Sequence, residues 1–219
     1  MKKLFISQYQ NHVLSLSPKT KKPQGTFKGV LMKSILKTLA TTALVAFTAF
    51  AFTACNDNRD CAYNEAGHTL ACPEKTYKTV TLGGKTWMAE NLDVFTPDSS
   101  VCYANNHDKC NTDGRLYTFA SASGNVCPTG WALPTVEDFK AAFGTSEPAA
   151  LKSANGFNVL FAGFKYYDGN FADKGVSASF WTSDSYDDSR AYLVRITNSG
   201  IAYEHFNKNI FASVRCIKK

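Results

Sequence analysis

Six cysteines spread between Cys61 and Cys216 constrain this chain more than any other feature of its sequence. None of them stands in a Cys-x-x-Cys pair, the short spacing that structural zinc sites use. An even set of cysteines in an exported domain predicts three disulfides, which fifteen different connectivities could satisfy. Closeness in the sequence favours one of them: Cys61 with Cys72, Cys102 with Cys110, and Cys127 with Cys216.

Export is predicted independently by an apolar run over residues 39–54, which ends directly before a seventh cysteine, Cys55. Lys33 and Lys37 precede the run, and small residues stand just before the cysteine. This order of basic, apolar and small residues is the layout of a secretory signal. The run has 16 residues, fewer than the roughly 20 that a transmembrane helix needs. We therefore predict a lipoprotein signal peptide over residues 32–54.

The last residues of this signal, Thr53-Ala54-Cys55, resemble a lipobox, in which a lipid is attached to the cysteine thiol and cleavage occurs just before it. We expect the exported chain to be anchored through Cys55 in the cell envelope, on the periplasmic or surface face of the outer membrane. The alternative is ordinary cleavage that leaves Cys55 free or paired. Residues 1–31 are polar and basic, and Met32 is a plausible start, so we interpret them as an over-extended N-terminus or a long basic n-region.

The charge of the chain changes sign when the signal is removed. The full sequence carries a net charge of +6, but eight lysines and no acidic residue precede Cys55. Sixteen basic residues then remain against eighteen acidic ones, a net charge of −2. Nucleic-acid binding depends on a basic surface that contacts phosphates, and the remaining chain lacks that excess. We expect a membrane partner through the lipid anchor and no nucleic-acid partner.

The rest of the chain divides into two parts. Residues 55–76 are rich in Asn, Asp and Glu and are predicted to be a polar spacer. Residues 77–219 have the length of one domain with a single core.

Strand patterns dominate this domain. A hairpin is predicted where Gly83-Gly84 joins two alternating stretches, because glycine takes a positive φ at both turn positions. Two further hairpins join residues 158–165 to the stretch after Asp168-Gly169, and residues 191–196 to residues 201–206. Residues 213–217 form a predicted closing strand.

One helix is predicted from its start and stop signals. Thr135 and Asp138 have the spacing of a capping box, Phe139 and Phe143 give an apolar face, and Gly144 ends the pattern. One or two short helices among several antiparallel strands and long loops predict an α+β fold.

Five phrases carry a family resemblance: Gly83-Gly84-Lys85-Thr86-Trp87-Met88-Ala89-Glu90-Asn91-Leu92, Gly114-Arg115-Leu116-Tyr117-Thr118, Cys127-Pro128-Thr129-Gly130-Trp131-Ala132-Leu133-Pro134, Phe180-Trp181-Thr182-Ser183 and Val214-Arg215-Cys216. Together they resemble the Fibrobacter succinogenes major paralogous domain family, which occurs in exported bacterial proteins and lipoproteins. The resemblance covers nearly all of residues 77–219. It implies a C-type lectin-like fold, similar to that of formylglycine-generating enzymes, and a bond between Cys127 and Cys216. It implies no function, and a fold alone does not supply one.

Residues that catalysis or metal binding would need are missing from their usual patterns. A calcium site takes about six to eight oxygen ligands, but Ala149 follows Glu147-Pro148 and Thr182 follows Trp181 where a lectin has coordinating side chains. Since all six cysteines have disulfide partners, no reduced pair is left for copper-dependent formylglycine chemistry. No hydrolase motif surrounds the remaining histidines, which are His68, His107 and His205. We predict no catalytic residue, no metal and no cofactor.

Exposed aromatic residues beside carboxylates are the remaining candidates for a ligand site. They fall in two loops and comprise Tyr166, Tyr167, Asp168, Phe171, Asp184, Tyr186, Asp187 and Asp188. Such surfaces suit sugar rings and equally suit protein hot spots, while ordinary packing of the tyrosines is the alternative. We expect a non-catalytic binding module of the cell envelope whose ligand is a polysaccharide or another surface protein. The alternatives are an enzyme acting on glycans or proteins through carboxylates that meet only in space, and a structural envelope component.

Overall fold

The computed structural model describes residues 60–219, which form fourteen strands and three α-helices. The strands are Ala62–Asn64 (β1), Thr69–Ala71 (β2), Thr76–Leu82 (β3), Lys85–Met88 (β4), Ser100–Val101 (β5), Leu116–Tyr117 (β6), Trp131–Ala132 (β7), Phe164–Lys165 (β8), Phe171–Ala172 (β9), Ser177–Ser185 (β10), Arg190–Thr197 (β11), Ile201–Asn207 (β12), Ala212–Ser213 (β13) and Ile217–Lys218 (β14). The helices are His107–Asp113 (α1), Phe119–Ser123 (α2) and Val136–Phe143 (α3), and short 3-10 turns span Tyr103–Asn105 and Ala150–Lys152.

Two six-stranded sheets make up most of the fold. The first has the order β1-β2-β3-β4-β14-β7, the second has the order β12-β11-β10-β13-β6-β5, and β8 pairs with β9 alone. Every pairing between named strands is antiparallel except that of β10 with β13. Mostly antiparallel strands with a few short helices confirm the predicted α+β class.

The first predicted hairpin is confirmed as β3 and β4. Gly83 and Gly84 have φ values of 56° and 76°, a left-handed conformation that glycine adopts without steric cost. Gly83 also lies against α3, because a Cβ atom there would stand 2.6 Å from the carbonyl carbon of Ala141. The glycine pair therefore closes the hairpin and lets it approach the helix.

The hairpin predicted from residues 158–165 is shorter than expected. Only Phe164–Lys165 is a strand, and it pairs with Phe171–Ala172. The amide of Val159 instead donates to the carbonyl of Leu151, so the backbone before β8 bonds to a loop rather than to a sheet. The third predicted hairpin is confirmed as β11 and β12, with Tyr192 opposite His205.

The closing strand predicted over residues 213–217 is wrong, because the chain crosses between the two sheets there. Ala212–Ser213 belongs to the second sheet and Ile217–Lys218 to the first. Between them, the carbonyls of Val214 and Cys216 accept the amides of Leu92 and Met88.

The capping box of α3 is confirmed. Thr135 Oγ1 accepts the amide of Asp138 at 3.0 Å, and Asp138 Oδ2 accepts the amide of Thr135 at 2.9 Å. Helices α1 and α2 were not predicted individually, and each is short, with Asn106 and Thr118 as its N-cap.

Two hydrophobic clusters fill the fold, one on each face of β11. Ala191 and Leu193 belong to the first cluster, whereas Val194 and Ile196 belong to the second, which lies under α3. The tryptophans of the family phrases, Trp87, Trp131 and Trp181, are all buried, as their apolar neighbours predicted.

All three predicted disulfides are present, joining Cys61 to Cys72, Cys102 to Cys110, and Cys127 to Cys216. Part of the stretch interpreted as a spacer is sheet, because β1 and β2 pair with β3 and bury Leu70. The predicted signal peptide and Cys55 lie outside the described residues. Among residues 60–219, no helix combines the length and apolar character needed to cross a bilayer.

Candidate functional site

The first predicted loop is the turn between β8 and β9. Tyr167 at its tip is 73 % exposed, and Tyr166 is partly covered by Phe164, whose ring lies 4.6 Å away edge-on. Asp168 accepts both the backbone and the side-chain amide of Asn170, and these bonds lower the pKa of the Asp168 carboxyl. Its carboxylate is therefore already used to hold the turn.

Phe171, on the returning strand of this turn, packs rather than projects. Its ring centroid lies 5.1 Å from that of Tyr103, and the ammonium of Lys165 lies 5.6 Å from the same ring. Tyr166 and Tyr167 are thus the exposed aromatic members of the first predicted group.

In the second predicted loop, two of the three carboxylates hold the chain in place. Asp187 accepts hydrogen bonds from Ser189 and from Arg190. These bonds hold the pKa of the Asp187 carboxyl well below its ordinary value, and the bond from the Arg190 guanidinium has the largest effect. Asp184 Oδ2 accepts the amide of Val136 at 2.6 Å, at the start of α3. Asp188 is exposed. No three His, Cys, Asp or Glu side chains within residues 60–219 stand close enough together to hold a metal ion.

The two predicted loops lie on opposite faces of the β11–β12 hairpin. Tyr186 stacks on His205 with ring centroids 3.9 Å apart. Phe164, the neighbour of Tyr166, instead contacts the adjacent residue Phe206, with centroids 6.4 Å apart. Because successive side chains of a strand point to opposite faces, the structure does not bring the two groups into one surface.

A groove of about 590 Å³ lies on the Tyr186 face, between α3 and the β11–β12 hairpin. It is lined by Val136, Glu137, Lys140, Asp184, Ser185, Tyr192 and Tyr203. Tyr186 adds to its aromatic rim, since its ring meets that of Tyr192 edge-on at 5.5 Å. The groove thus places tyrosine rings beside carboxylates and one ammonium group.

Charged groups in the groove are paired but remain accessible. The Lys140 ammonium donates to Glu137 Oε1 at 2.7 Å and lies 5.5 Å from the centre of the Tyr203 ring. Burial raises the pKa of Tyr203, and the negative charge of Glu137 adds to this while Lys140 opposes it. The Tyr203 hydroxyl therefore stays protonated at neutral pH and is able to donate a hydrogen bond.

Sequence reasoning missed Tyr192 and Tyr203 as site residues. The sequence did predict the hairpin of residues 191–196 with 201–206, in which Tyr192 lies opposite His205. In that hairpin Tyr192, Tyr203 and His205 share one face, which was the available signal that these tyrosines lie on one surface. The position of α3 over part of that face is a tertiary contact that strand alternation does not encode.

A second, smaller cleft of about 260 Å³ contains Asp93, His107 and Arg115. Asp93 Oδ1 lies 3.1 Å from Arg115 Nε, and the Arg115 guanidinium lies 5.0 Å from the ring centre of the exposed Phe95. Burial raises the pKa of Asp93, against the opposing charges of Arg115, Lys75 and His107. A carboxyl with a raised pKa in a cleft is a candidate acid.

Family-phrase residues mostly build the core instead of the groove. Arg215 is fully buried, and its Nε donates to Asn91 Oδ1 at 2.8 Å. Its terminal nitrogens donate to the carbonyls of Phe157 and Asn158. Asn91 in turn donates to the carbonyl of Asp113 at 2.8 Å, so two of the phrases meet in one hydrogen-bond network that reaches the residue before a third.

Comparison with known proteins gives one match. No curated protein and no solved structure matches this chain. Residues 80–147 match the family model described as the Fibrobacter succinogenes major domain, and this segment contains three of the five phrases. Residues 80–147 of this chain are therefore similar to the Fibrobacter succinogenes major domain family.

Proposed function

We propose that this protein is a non-catalytic binding module of the cell envelope whose ligand is a polysaccharide held in the α3 groove. The observation that carries the proposal is the lining of this groove, where Tyr192 and Tyr203 stand beside Asp184, Glu137 and Lys140. Ligand sites typically combine aromatic walls with a few polar groups that orient the ligand.

The chemistry of a sugar fits this lining. The apolar C–H face of a pyranose ring stacks on an aromatic ring, while its hydroxyls need hydrogen-bond partners at the rim. Asp184 Oδ2 is held by the amide of Val136, which fixes the carboxylate and leaves Oδ1 for a hydroxyl. Lys140 on α3 adds a donor to the groove, and the Ser185 hydroxyl, which itself donates to the carbonyl of Asp187, adds an acceptor.

Affinity measurements on a panel of cell-wall and plant polysaccharides test the site. Tyr203→Ala removes one aromatic wall, and we expect the dissociation constant to rise about tenfold or more, the effect of a binding hot spot. Tyr167→Ala is the matched control, because it removes an exposed tyrosine on the other face of the hairpin. Loss of binding in Tyr167→Ala alone would assign the ligand to the β8–β9 turn.

A complete lack of glycan binding would exclude the polysaccharide. Crosslinking in the native envelope would then separate the remaining forms of the proposal, because a surface-protein ligand and a structural envelope component both predict stable protein partners. Only the first predicts that Tyr203→Ala or Tyr167→Ala loses the partner.

We propose in addition that Cys55 carries a lipid that holds the domain at the outer membrane. The basic, apolar and small residues before Cys55 support this, as does the even set of cysteines after it. Growth with a radiolabelled fatty acid should label the wild-type protein and leave Cys55→Ala unlabelled. Equal labelling of both proteins would contradict lipid attachment at this cysteine.

A second candidate function, an enzyme acting on glycans, is favoured by the raised pKa of Asp93 in its cleft. Removing a general acid from an active site lowers the reaction rate by about a hundredfold or more. Release of reducing ends from the same polysaccharide panel, compared between wild type, Asp93→Asn and the control Asp168→Asn, checks this function. Absence of turnover in the wild type would exclude the enzyme and leave the binding module as the proposed function.

The finer description of the fold is also a proposal. We infer a C-type lectin-like fold from antiparallel sheets with long loops and from the bond that joins Cys127 to Cys216 near the end of the chain. An experimental structure that superposes poorly on C-type lectin domains over residues 77–219 would contradict it.

A further inference from the structure

Part of strand β3 has an open edge. On one side, β2 pairs with β3 only as far as Lys78, and the last bond runs from the amide of Thr79 to the carbonyl of His68 at 2.8 Å. On the other side, β4 pairs with β3 from Thr79 to Leu82. The second half of β3 is therefore bonded on one side only.

The free backbone groups on this edge belong to Thr81. The amide of Met88 donates to the carbonyl of Cys216, the residue before β14, so the ladder bonds between β3 and β4 fall on Val80 with Trp87 and on Leu82 with Lys85. Thr81 lies between these bonded pairs, and its N–H and C=O point away from β4. Such an unpaired edge is a template for another strand.

A cavity of about 480 Å³ lies along this edge. Its lining includes His68 from the β1–β2 turn and Thr69 at the start of β2, Thr79 and Thr81 from β3, and Asn155 from the loop after the second 3-10 turn. Thr79 is only 6 % exposed, and within residues 60–219 its hydroxyl has no hydrogen-bond partner. Buried hydroxyls are normally satisfied, so this one marks a place for a polar ligand group.

The charge of the cavity lining has one sign. Among the described residues that line it, Lys78 is the only lysine or arginine. No aspartate or glutamate lines the cavity. Outside the lining, the Glu90 carboxylate accepts the backbone amide of Lys78 at 2.8 Å.

We propose that this edge binds an extended acidic peptide, which adds to β3 as a further strand beside Thr81. Backbone bonds to Thr81 supply affinity, and an acidic side chain of the peptide lies near Lys78. A polar side chain enters the cavity and bonds to the Thr79 hydroxyl. This function is separate from sugar binding, because the α3 groove shares none of its lining residues with the cavity.

Amide NMR shifts upon titration with a library of capped acidic pentapeptides, each alternating Glu with Thr or Val, test the proposal. We expect the best binders to shift the amides of Thr79 and Thr81 and to leave Tyr192 and Tyr203 unchanged. Methylating the backbone nitrogens of the best binder should weaken binding about tenfold or more, because the paired strand loses its donors. This control requires no change to the protein.

Two protein variants sharpen the test. Thr81→Pro removes the free N–H without removing a β3–β4 bond, and it should abolish peptide shifts while thermal unfolding stays close to wild type. Lys78→Glu should lower the affinity for the acidic peptide by roughly threefold to tenfold at low salt. Lys109→Glu, an exposed charge change on α1, is the matched control and should have no effect.

Several results would overturn the proposal. They are the absence of shifts across the library, shifts that map elsewhere, equal binding by the methylated peptide, or equal binding by peptides with Lys in place of Glu. Concentration-dependent shifts at Thr81 without any peptide would assign the edge to a second copy of this chain.

Discussion

Arg215 holds its charge in the interior of the protein, and no carboxylate of residues 60–219 forms an ion pair with it. Its guanidinium donates to the side chain of Asn91 and to the carbonyls of Phe157 and Asn158, and its plane lies 4.3 Å from the centre of the Phe157 ring. Burial lowers its pKa to about 9, and the negative charge of Glu90 opposes that shift. Arg215 therefore remains charged at neutral pH, and neutral acceptors replace the water it has lost.

Replacing Arg215 tests how much the fold depends on this network. Arg215→Met keeps an unbranched apolar stem but takes the donor from two buried acceptors and one partly buried acceptor, and each buried one costs about 1–3 kcal/mol. We expect the free energy of unfolding, measured with urea, to fall by about 3 kcal/mol or more. Arg190→Met is the matched control on the surface and should change stability little. Similar losses in both variants would contradict a structural role specific to Arg215.

Local sequence signals predicted well at single positions. Gly83-Gly84 and the spacing of Thr135 from Asp138 were sufficient, because a positive φ and a capping hydrogen bond are decided within a few residues. The role of Arg215 was not predictable, because its partners lie 57 to 124 residues away in the sequence.

At the scale of elements, Asp138 links α3 to the β3–β4 hairpin. Its Oδ2 closes the capping box, and its Oδ1 accepts a bond from the Lys85 ammonium at 2.6 Å. Burial alone would raise the pKa of Asp138, but bonds from Lys85 and Thr135 together outweigh it and lower the pKa below the ordinary 3.8. The unfolded chain therefore binds this proton more readily than the folded protein does.

Stability should depend on pH through this group. A lowered folded pKa stabilises the fold above the unfolded pKa of 3.8, and that contribution is lost as pH falls through the folded value. We expect Asp138→Asn to lower the free energy of unfolding by about 1 kcal/mol at pH 7, and the difference from wild type to shrink below pH 4. Urea titrations at several pH values measure this. Glu137→Gln, the exposed neighbour, should show no such convergence.

Hairpins were predicted better than isolated strands. The β11–β12 hairpin was correct because its strands alternate around a clear turn, Asn198-Ser199-Gly200. Residues 213–217 were predicted as one strand, because the pattern of a short strand carries no information about which of two sheets it joins. The same limit applies to the groove, whose two walls come from α3 and from a hairpin about 50 residues later.

At the scale of the whole molecule, the bond between Cys127 and Cys216 joins distant parts of the chain. The two cysteines are 89 residues apart, whereas Cys102 and Cys110 are separated by 8. A disulfide stabilises mainly by restricting the unfolded chain, so the longer loop should contribute more. Even number and closeness predicted all three pairs.

Removing two of these disulfides separately should show how much each contributes to the free energy of unfolding. We expect the Cys127→Ala/Cys216→Ala double variant to lose about 4–5 kcal/mol of unfolding free energy, and the Cys102→Ala/Cys110→Ala variant about 2–3 kcal/mol. Urea denaturation without reductant measures both. A larger loss in the second variant would contradict the loop-length argument and would indicate that α1 depends on its disulfide for packing.

The long bond between Cys127 and Cys216 also decides what a protease is able to release. The exposed turns around Tyr167 and Asn198 lie between the two cysteines, and both walls of the α3 groove lie there too. A single cut in either turn leaves two pieces that stay one covalent molecule. If Cys55 carries the proposed lipid, such a nicked domain would keep its groove and its anchor together, and only cleavage followed by reduction would shed the C-terminal piece.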